Sequence, residues 1–290
     1  MSFKEIKRVS IIIPSHNGGR LLKKVIKKAR SQEYGNKEII VVDDFSDIKD
    51  KELEKIKNIH LIRNDKNLGL AASLNKGIKF STGEYIVTLL QDCIPYSKKW
   101  LKELVFLLEK KKAIAVCSRV KNDPLIWESQ DDLVKSLTKN HPSFYSPRLD
   151  EKGRIYKKSY LEKAGFFDEK NFKFAGEDWD LYYKLSKLGK VVGGVKPYVI
   201  HKHFFNLEKL FWTKSIYGFS FGRLFRIYHF KLEDWFMGSF LRTLFPFWGI
   251  VKGIKDGFGR KRKSKIIKFS IKLNYLYTIN FIKGFFSKIR

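Results

Sequence analysis

The order of apolar and polar positions divides the chain before any motif is considered. Residues 9–14 (VSIIIP) and 38–43 (EIIVVD) are nearly unbroken apolar runs, the pattern of strands buried on both faces. Between them Leu21, Leu22, Val25, Ile26 and Ala29 fall on one helical stripe, with lysines at other positions. Residues 59–63 (IHLIR), 85–90 (YIVTLL) and 113–120 (AIAVCSRV) supply three further strands, with helices near 70–80 and 98–110. This alternation predicts an α/β domain with a doubly wound, mostly parallel sheet flanked by helices. In such sheets ligands bind at the carboxyl ends of the strands.

Those ends collect Ser15, His16 and Asn17, then Asp43 and Asp44, then Gln91 and Asp92. The Asp44 carboxylate suits a ring N–H of a uracil-like base, although an Asp-Asp-x-Ser turn capping a helix gives the same pattern. Asn17-Gly18-Gly19 fits neither G-x-G-x-x-G nor P-loop spacing, so no glycine cradle for phosphate is expected. A nucleotide's phosphates then call for a metal ion, Mg2+ or Mn2+, with Asp92 as its natural carboxylate ligand. His201 and His203 follow a late apolar strand at i, i+2, where two side chains point the same way, so both are candidates for one site. Cys93 and Cys117 lack metal-ligand spacing and read as plain strand and turn residues.

Length and charge then change the picture. At 290 residues the chain suits one large domain with an appendage, and 43% hydrophobic content excludes a disordered protein. Two cysteines exclude a disulfide scaffold. The first eight residues are polar and no run of about 18 apolar residues lacks a charge, so neither a secretory leader nor a membrane span is expected. Net charge is +29, and it is uneven: the 87 residues from 204 to 290 carry 18 Lys and Arg against 4 acids. They also hold 23 of the 44 aromatic residues. The expected division is a body, 1–203, and a basic-aromatic helical extension, 204–290.

Within the extension, residues 207–228, 232–258 and 266–289 mix Phe, Trp, Leu and Ile with Lys and Arg at helical spacing. Trp235, Phe236, Phe240, Leu244, Phe247 and Trp248 are flanked by Arg242, Lys252 and Lys255, and Pro246 interrupts the helix. In-plane amphipathic helices on an anionic membrane surface have this chemistry; helices packed on the body with solvated lysines are the other reading. Basic-aromatic interleaving also suits single-stranded nucleic acid, but a phosphate-backbone groove would avoid acids such as Asp44, Asp92 and Asp178. No nucleic-acid partner is expected.

The motifs VSIIIPSHN (9–17), EIIVVDDFS (38–46), Asn67-Leu68-Gly69 with Asn75, Gly83-Glu84-Tyr85 and GEDWDL (176–181) follow one another in a fixed order. As an ordered set they resemble the family 2 inverting nucleotide-sugar glycosyltransferases of the GT-A fold, over roughly residues 9–203. The resemblance implies a UDP- or dTDP-linked donor bound by Pro14, His16, Asn17, Asp44, Gly69 and Gln91. Asp44 would meet the base, and Gly69 falls in the segment closing over it. Asp92 matches the last aspartate of the family's D-x-D motif, and His201 or His203 would complete the metal or diphosphate site. Asp178 matches the general base of the E-D pair, with Glu177 and Trp179 beside the acceptor. Leu90 stands where the family usually has its first aspartate. The run Gln91-Asp92-Cys93-Ile94-Pro95 is similar to the Q-D-A-x-P form of rhamnosyltransferase-like members, leaving one direct carboxylate ligand. With the basic extension, the implied acceptor is a lipid-linked or cell-surface glycan at the cytoplasmic face of the membrane. The alternatives are a degenerate, metal-free site, or an inactive membrane-peripheral or nucleic-acid-binding protein on a relic transferase fold.

Overall fold

Strand β1 (Val9–Ser15) is buried at all seven positions and β2 (Lys37–Asp43) at all but its first. The computed structural model, which describes residues 6–138, 145–146, 151–229, 245 and 247–290, builds them into one sheet. The other strands are β3 (His60–Arg63), β4 (Tyr85–Thr88), β5 (Cys93–Pro95), β6 (Ala115–Asn122), β7 (Tyr145–Ser146), β8 (Arg154–Lys157) and β9 (Val191–His201). Their order is β3-β2-β1-β4-β8-β6-β9-β5, with β7 paired to β6. The β3-β2-β1-β4 half is parallel. Strand β8 runs antiparallel between β4 and β6, and β9 returns parallel to β6. The apolar pattern marks the long strands and misses β5, β7 and β8, which are two to four residues long and carry no apolar run.

Alternation along the central strands fills both faces. Ile11, Ile13, Ile39 and Val41 share a core with Leu22, Val25 and Ile26 of α1 (Gly19–Arg30) and with Leu104 and Leu108 of α4 (Trp100–Lys110). Helix α2 (Lys51–Glu54) is a single turn after β2. On the other face Ile12, Ile40 and Val42 meet Leu74 and Ile78 of α3 (Leu70–Phe80). Leu161 of α7 (Lys158–Lys163) and Leu181 and Leu185 of α8 (Glu177–Ser186) complete that core. Gly77 lets α3 lie close on the sheet: a Cβ there would stand 2.5 Å from Ile12 Cγ2.

This first unit comprises Met1–Asp123, Tyr145–Glu169 and Glu177–Lys202. A second unit is formed not only by His203–Arg290 but also by Pro124–Phe144 and Lys170–Gly176. A single cut near residue 203 misses these earlier segments because long-range packing recruits them. Leu133 and Leu137 of α6 (Asp132–Leu137), which follows α5 (Pro124–Ser129), share a core with Leu210, Ile266 and Leu273. The second unit's helices are α9 (Leu207–Ile227), α10 (Trp248–Gly257) and α11 (Lys263–Phe286). Trp235, Phe236, Phe240, Arg242, Leu244 and Pro246 lie outside the described residues. Among the described residues no helix is long and apolar enough to cross a membrane.

Glycines set the spacing of these helices. A Cβ on Gly218, Gly222 or Gly284 would overlap the backbone of the facing helix, α11 or α9. On α10, Gly249 and Gly253 face the Cα atoms of Ile271 and Ile267, and Gly257 faces Lys263, so α10 and α11 run antiparallel. Gly253→Leu should overfill this contact and destabilise the protein by about 1–3 kcal/mol. Ile254→Ser, at an exposed position one residue on, should stay within about 0.5 kcal/mol. Denaturant titration of both variants checks the difference.

Candidate active site

The site is built from the carboxyl ends of β1, β2 and β4, closed by side chains rather than by a glycine-rich loop. Gln91 Oε1 accepts from Ser15 Oγ (2.7 Å) and from the His16 backbone N–H (3.0 Å), while its Nε2 donates to the His16 carbonyl (3.0 Å). Gly18 leaves room for this clasp, since a Cβ there would sit 2.7 Å from Gln91 Oε1. Asn17 forms a two-way pair with Asp47: Nδ2 donates to its carboxylate (2.7 Å) and Oδ1 accepts its N–H (2.9 Å). Asn17 has φ 53° and Phe45 φ 60°. The left-handed region is tolerable for asparagine but strained for a bulky aromatic, a feature that gathers at functional loops. Pro14, opposite Val42 in the sheet, and exposed His16, whose Nδ1 lies 3.1 Å from the Asp44 carbonyl, complete this edge.

Asp44 has chain partners that its motif does not show. Its carboxylate is buried and engaged by the chain itself: Oδ1 accepts from Leu68 N–H and Asn64 Nδ2 (both 2.8 Å), and Oδ2 from Gly69 N–H (2.8 Å). About four lone-pair sites are present on a carboxylate, so one is left for a ligand. Asp44 therefore fixes the turn at Gly69, where φ is 94°, at the mouth of the β1–β2 cleft. Asp43 in turn pairs with Arg63 and accepts from Ser46 N–H at 3.1 Å.

At the end of β4, Asp92 Oδ2 lies 3.2 Å from His201 Nε2. Pairing of β5 with β9 sets Cys93 opposite His201, and Cys93 Sγ is 3.4 Å from Asp92 Oδ1. One donor atom from each of the three residues falls within 4.8 Å of the others. An oxygen, a nitrogen and a sulfur so grouped fit a divalent cation, the carboxylate suiting Mn2+ or Mg2+ and the imidazole and thiol softer transition ions. No local pattern marks Cys93, because its register against His201 is set only by the fold. Strand β9 ends at His201, so the i, i+2 argument does not reach His203, whose ring instead lies 4.4 Å from that of Phe205.

The acid pair opens α8. Asp178 is half-buried in the first turn, with Oδ1 accepting the Trp179 N–H (2.9 Å). The helix N-terminus favours its ionised form. Trp179 is half-buried with its ring edge-on to Tyr182. Glu177 is buried, and its Oε2 has no hydrogen-bond partner. Burial, then the neighbouring Asp178 and Glu151, push its carboxyl well above the usual range. Sheet register sets Thr88, Arg154 and Cys117 in one row on the face that carries α8. Arg154 is fully buried, with Nη1 3.2 Å from Glu151 Oε1. Glu151 also accepts from Thr88 Oγ1 (2.7 Å) and Tyr156 OH (2.7 Å). Burial alone would make the guanidinium easier to deprotonate, but Tyr156, Glu151 and Asp178 hold it charged. The motif reading missed both Glu151 and Arg154, although an arginine opening the short strand RIYK was the visible sign.

Strands parallel through β4, an antiparallel β8 and an acid pair at a helix start define a GT-A-type transferase fold. A mannosyltransferase from Pyrobaculum calidifontis, solved with GDP-Man and Mn2+, matches with a TM-score of 0.63 at 15% identity, over 99% of this chain and 89% of that one. TarS of S. aureus matches with a TM-score of 0.55 at 16% identity, over 96% of this chain and 54% of that one. The family model "Glycosyl transferase family 2" matches residues 10–164, and the chain belongs to that family. An uncharacterised glycosyltransferase of Rickettsia typhi is 29% identical over 213 residues, 63% of this chain and 60% of that protein. The putative colanic acid biosynthesis glycosyl transferase WcaA of Escherichia coli is 29% identical over 185 residues, 61% of this chain and 65% of that protein. The chain thus spans less than two-thirds of the length of these relatives.

Two stability measurements test the acid cluster. Glu177 has a raised folded-state value against 4.5 for the free side chain, so folding takes up a proton above about pH 4.5 and wild-type stability falls as pH rises toward the folded value. Glu177→Gln, which mimics the neutral acid, should match wild type near pH 4 and exceed it at pH 7.5 in thermal melts. Arg154→Met should cost about 3–5 kcal/mol by leaving Glu151 buried without its counter-ion, and Glu151→Gln in the same chain should recover part of that loss.

Proposed function

We propose that the first unit moves a hexosyl or deoxyhexosyl group from a UDP- or dTDP-linked donor to a hydroxyl or phosphate of a lipid-linked or cell-surface glycan, with inversion. The observation that carries this is the meeting of Asp92 and His201, 109 residues apart, next to the Gln91 clasp on the β1 loop. In this reading the nucleoside lies among Pro14, His16, Asn17, Asp44 and Gly69. Asp178 takes the acceptor proton as the acceptor oxygen attacks the anomeric carbon opposite the leaving diphosphate. Glu177, buried with its carboxyl pushed upward, and Trp179 lie beside the acceptor. Bound by Asp92 and His201, a divalent cation would supply positive charge for the leaving diphosphate. Leu90 cannot ligate, so metal affinity is modest, as in the rhamnosyltransferase-like form of the motif. The solved neighbours with GDP-Man and Mn2+ and with UDP-GlcNAc support a nucleotide-sugar donor, and the WcaA relative supports polysaccharide biosynthesis.

The second unit supports a place on the anionic cytoplasmic leaflet. Helix α10 turns its glycines toward α11, while Phe247, Ile250, Val251, Ile254 and Phe258 are exposed at i, i+3, i+4, i+7 and i+11. Arg260, Lys261, Arg262 and Lys263 follow directly. An apolar stripe beside a basic run is the composition of an interfacial anchor.

Thermal-shift screening against UDP-, dTDP- and GDP-sugars with and without Mn2+ identifies the donor. Asp178→Asn should then reduce transfer about 100-fold or more with nucleotide affinity unchanged. Asp92→Ala should lose metal-dependent nucleotide binding by calorimetry. Equal donor binding with and without Mn2+ would count against the metal role, and near-wild-type transfer by Asp178→Asn would remove it as the base.

A further inference from the structure

In the second unit the starts of α6, α9 and α11 line one apolar groove of about 580 Å3, within the range of small-molecule sites. Its floor includes Leu133, Leu207 and Phe269. Leu133 lies in a buried cluster with Leu210, Ile266 and Leu273, against which Leu207 and Phe269 pack, so the floor is continuous with a folded core. Its rim is cationic: Arg262, Lys265 and Lys268 are all exposed.

Two of these charges, Arg262 and Lys265, stand at the N-cap and in the first turn of α11, where they oppose the helix dipole. Arg262 is the N-cap of α11 and gives no side-chain cap, and no acid stands in the helix's first turn. Basic side chains therefore gather at the positive end of a 24-residue helix, beside unsatisfied N–H groups. The other two helix starts are conventionally capped. Asn206 accepts from Lys209 N–H (2.7 Å) and Asp131 from Leu133 N–H (2.7 Å). Asp131 also lies 3.3 Å from Arg262 Nη1, and among the described residues no acid pairs with Lys265 or Lys268 on the rim. A free anion explains the rim but not the apolar floor; a neutral hydrocarbon explains the floor but not the rim.

We infer that this groove binds a lipid phosphate, with the hydrocarbon along Leu133, Leu207 and Phe269 and the phosphate on Lys265, Lys268 and the open start of α11. Its physiological role rests on the lipid-linked acceptor proposed above; the binding itself does not.

Calorimetry with the full chain at physiological salt tests the groove, using farnesyl phosphate, farnesol and inorganic phosphate as probes. Farnesyl phosphate should bind at least about tenfold tighter than either of the others. The double variant Lys265→Glu/Lys268→Glu should weaken it by about tenfold or more without lowering the melting temperature. Phe204→Glu, at an exposed lining position, should weaken the same ligand through the apolar side. Equal affinity for inorganic phosphate would reduce the site to an anion patch and overturn the inference. So would equal affinity for farnesol, indifference to the substitutions, or displacement of farnesyl phosphate by an equally tight single-stranded oligonucleotide. If farnesyl phosphate binds and no nucleotide sugar does, the transfer reading fails and the groove stands; the reverse result removes the groove alone.

Discussion

Burial of the central strands on both faces is the constraint from which the first unit's chemistry follows. A lone polar side chain inside such a strand costs about 1–3 kcal/mol unless it finds a partner. Strand β1 admits only Ser10, whose hydroxyl donates to Glu38 at 2.5 Å. Polar residues accumulate where the sheet stops, at Ser15 and its register partner Asp43. The loops that begin there have no glycine cradle to shape them, and side chains supply the shape instead. Gln91 clasps the first loop, Asp44 folds the turn at Gly69, and Asn17 ties the first loop to the second. Each bond is worth only about 1 kcal/mol net, so their weight lies in fixing one arrangement of the cleft rather than in total stability.

The same economy of polar groups governs the acids under α8. Glu151, Glu177 and Asp178 share the surroundings of one guanidinium, Arg154. Full ionisation of all three in a buried setting is prohibitive, and the structure resolves it by position. Glu151 takes the ion pair and two hydroxyl donors, burial pushes the Glu177 carboxyl upward, and Asp178 keeps partial solvent and the helix N-terminus. Two adjacent carboxyls thus meet different surroundings, one desolvated and one half-open at the helix start. A buried pair such as Arg154–Glu151 contributes little net stability. Its effect is to hold the row Thr88–Arg154–Cys117 in register beneath the acid pair.

How much of this the sequence reveals depends on the range of the interaction. Runs such as VSIIIP and EIIVVD carry their burial in their composition, so β1, β2 and the helices α1, α3 and α4 are legible within a residue or two. Asp92, Asp178 and His201 are legible as candidates because motif order substitutes for distance. Cys93 is not, since only the pairing of β5 with β9 brings it to His201. Asp44 is found by its motif, but its three chain donors are invisible without the turn at Gly69. The boundary near residue 203 reflects a real change in charge, yet α6 joins the later helices through Leu133 and Leu137, two leucines that no local pattern ties to Ile266.

Charge in the second unit obeys a different logic from charge in the first. In the first unit, helix α1 keeps Lys27, Lys28 and Arg30 in its last turn, where the helix dipole favours them. Helix α11 does the reverse, with Arg262, Lys263 and Lys265 at its start and no acid in its first turn. A sequence under selection for stability alone would place Ser or Asp at that cap, as Asn206 and Asp131 do for the neighbouring helix starts. Local rules are broken in natural proteins mainly where function requires it. The arrangement at the α11 start is one in which local stability is exchanged for affinity toward an anion, and the leucines and Phe269 beside it give that anion an apolar body.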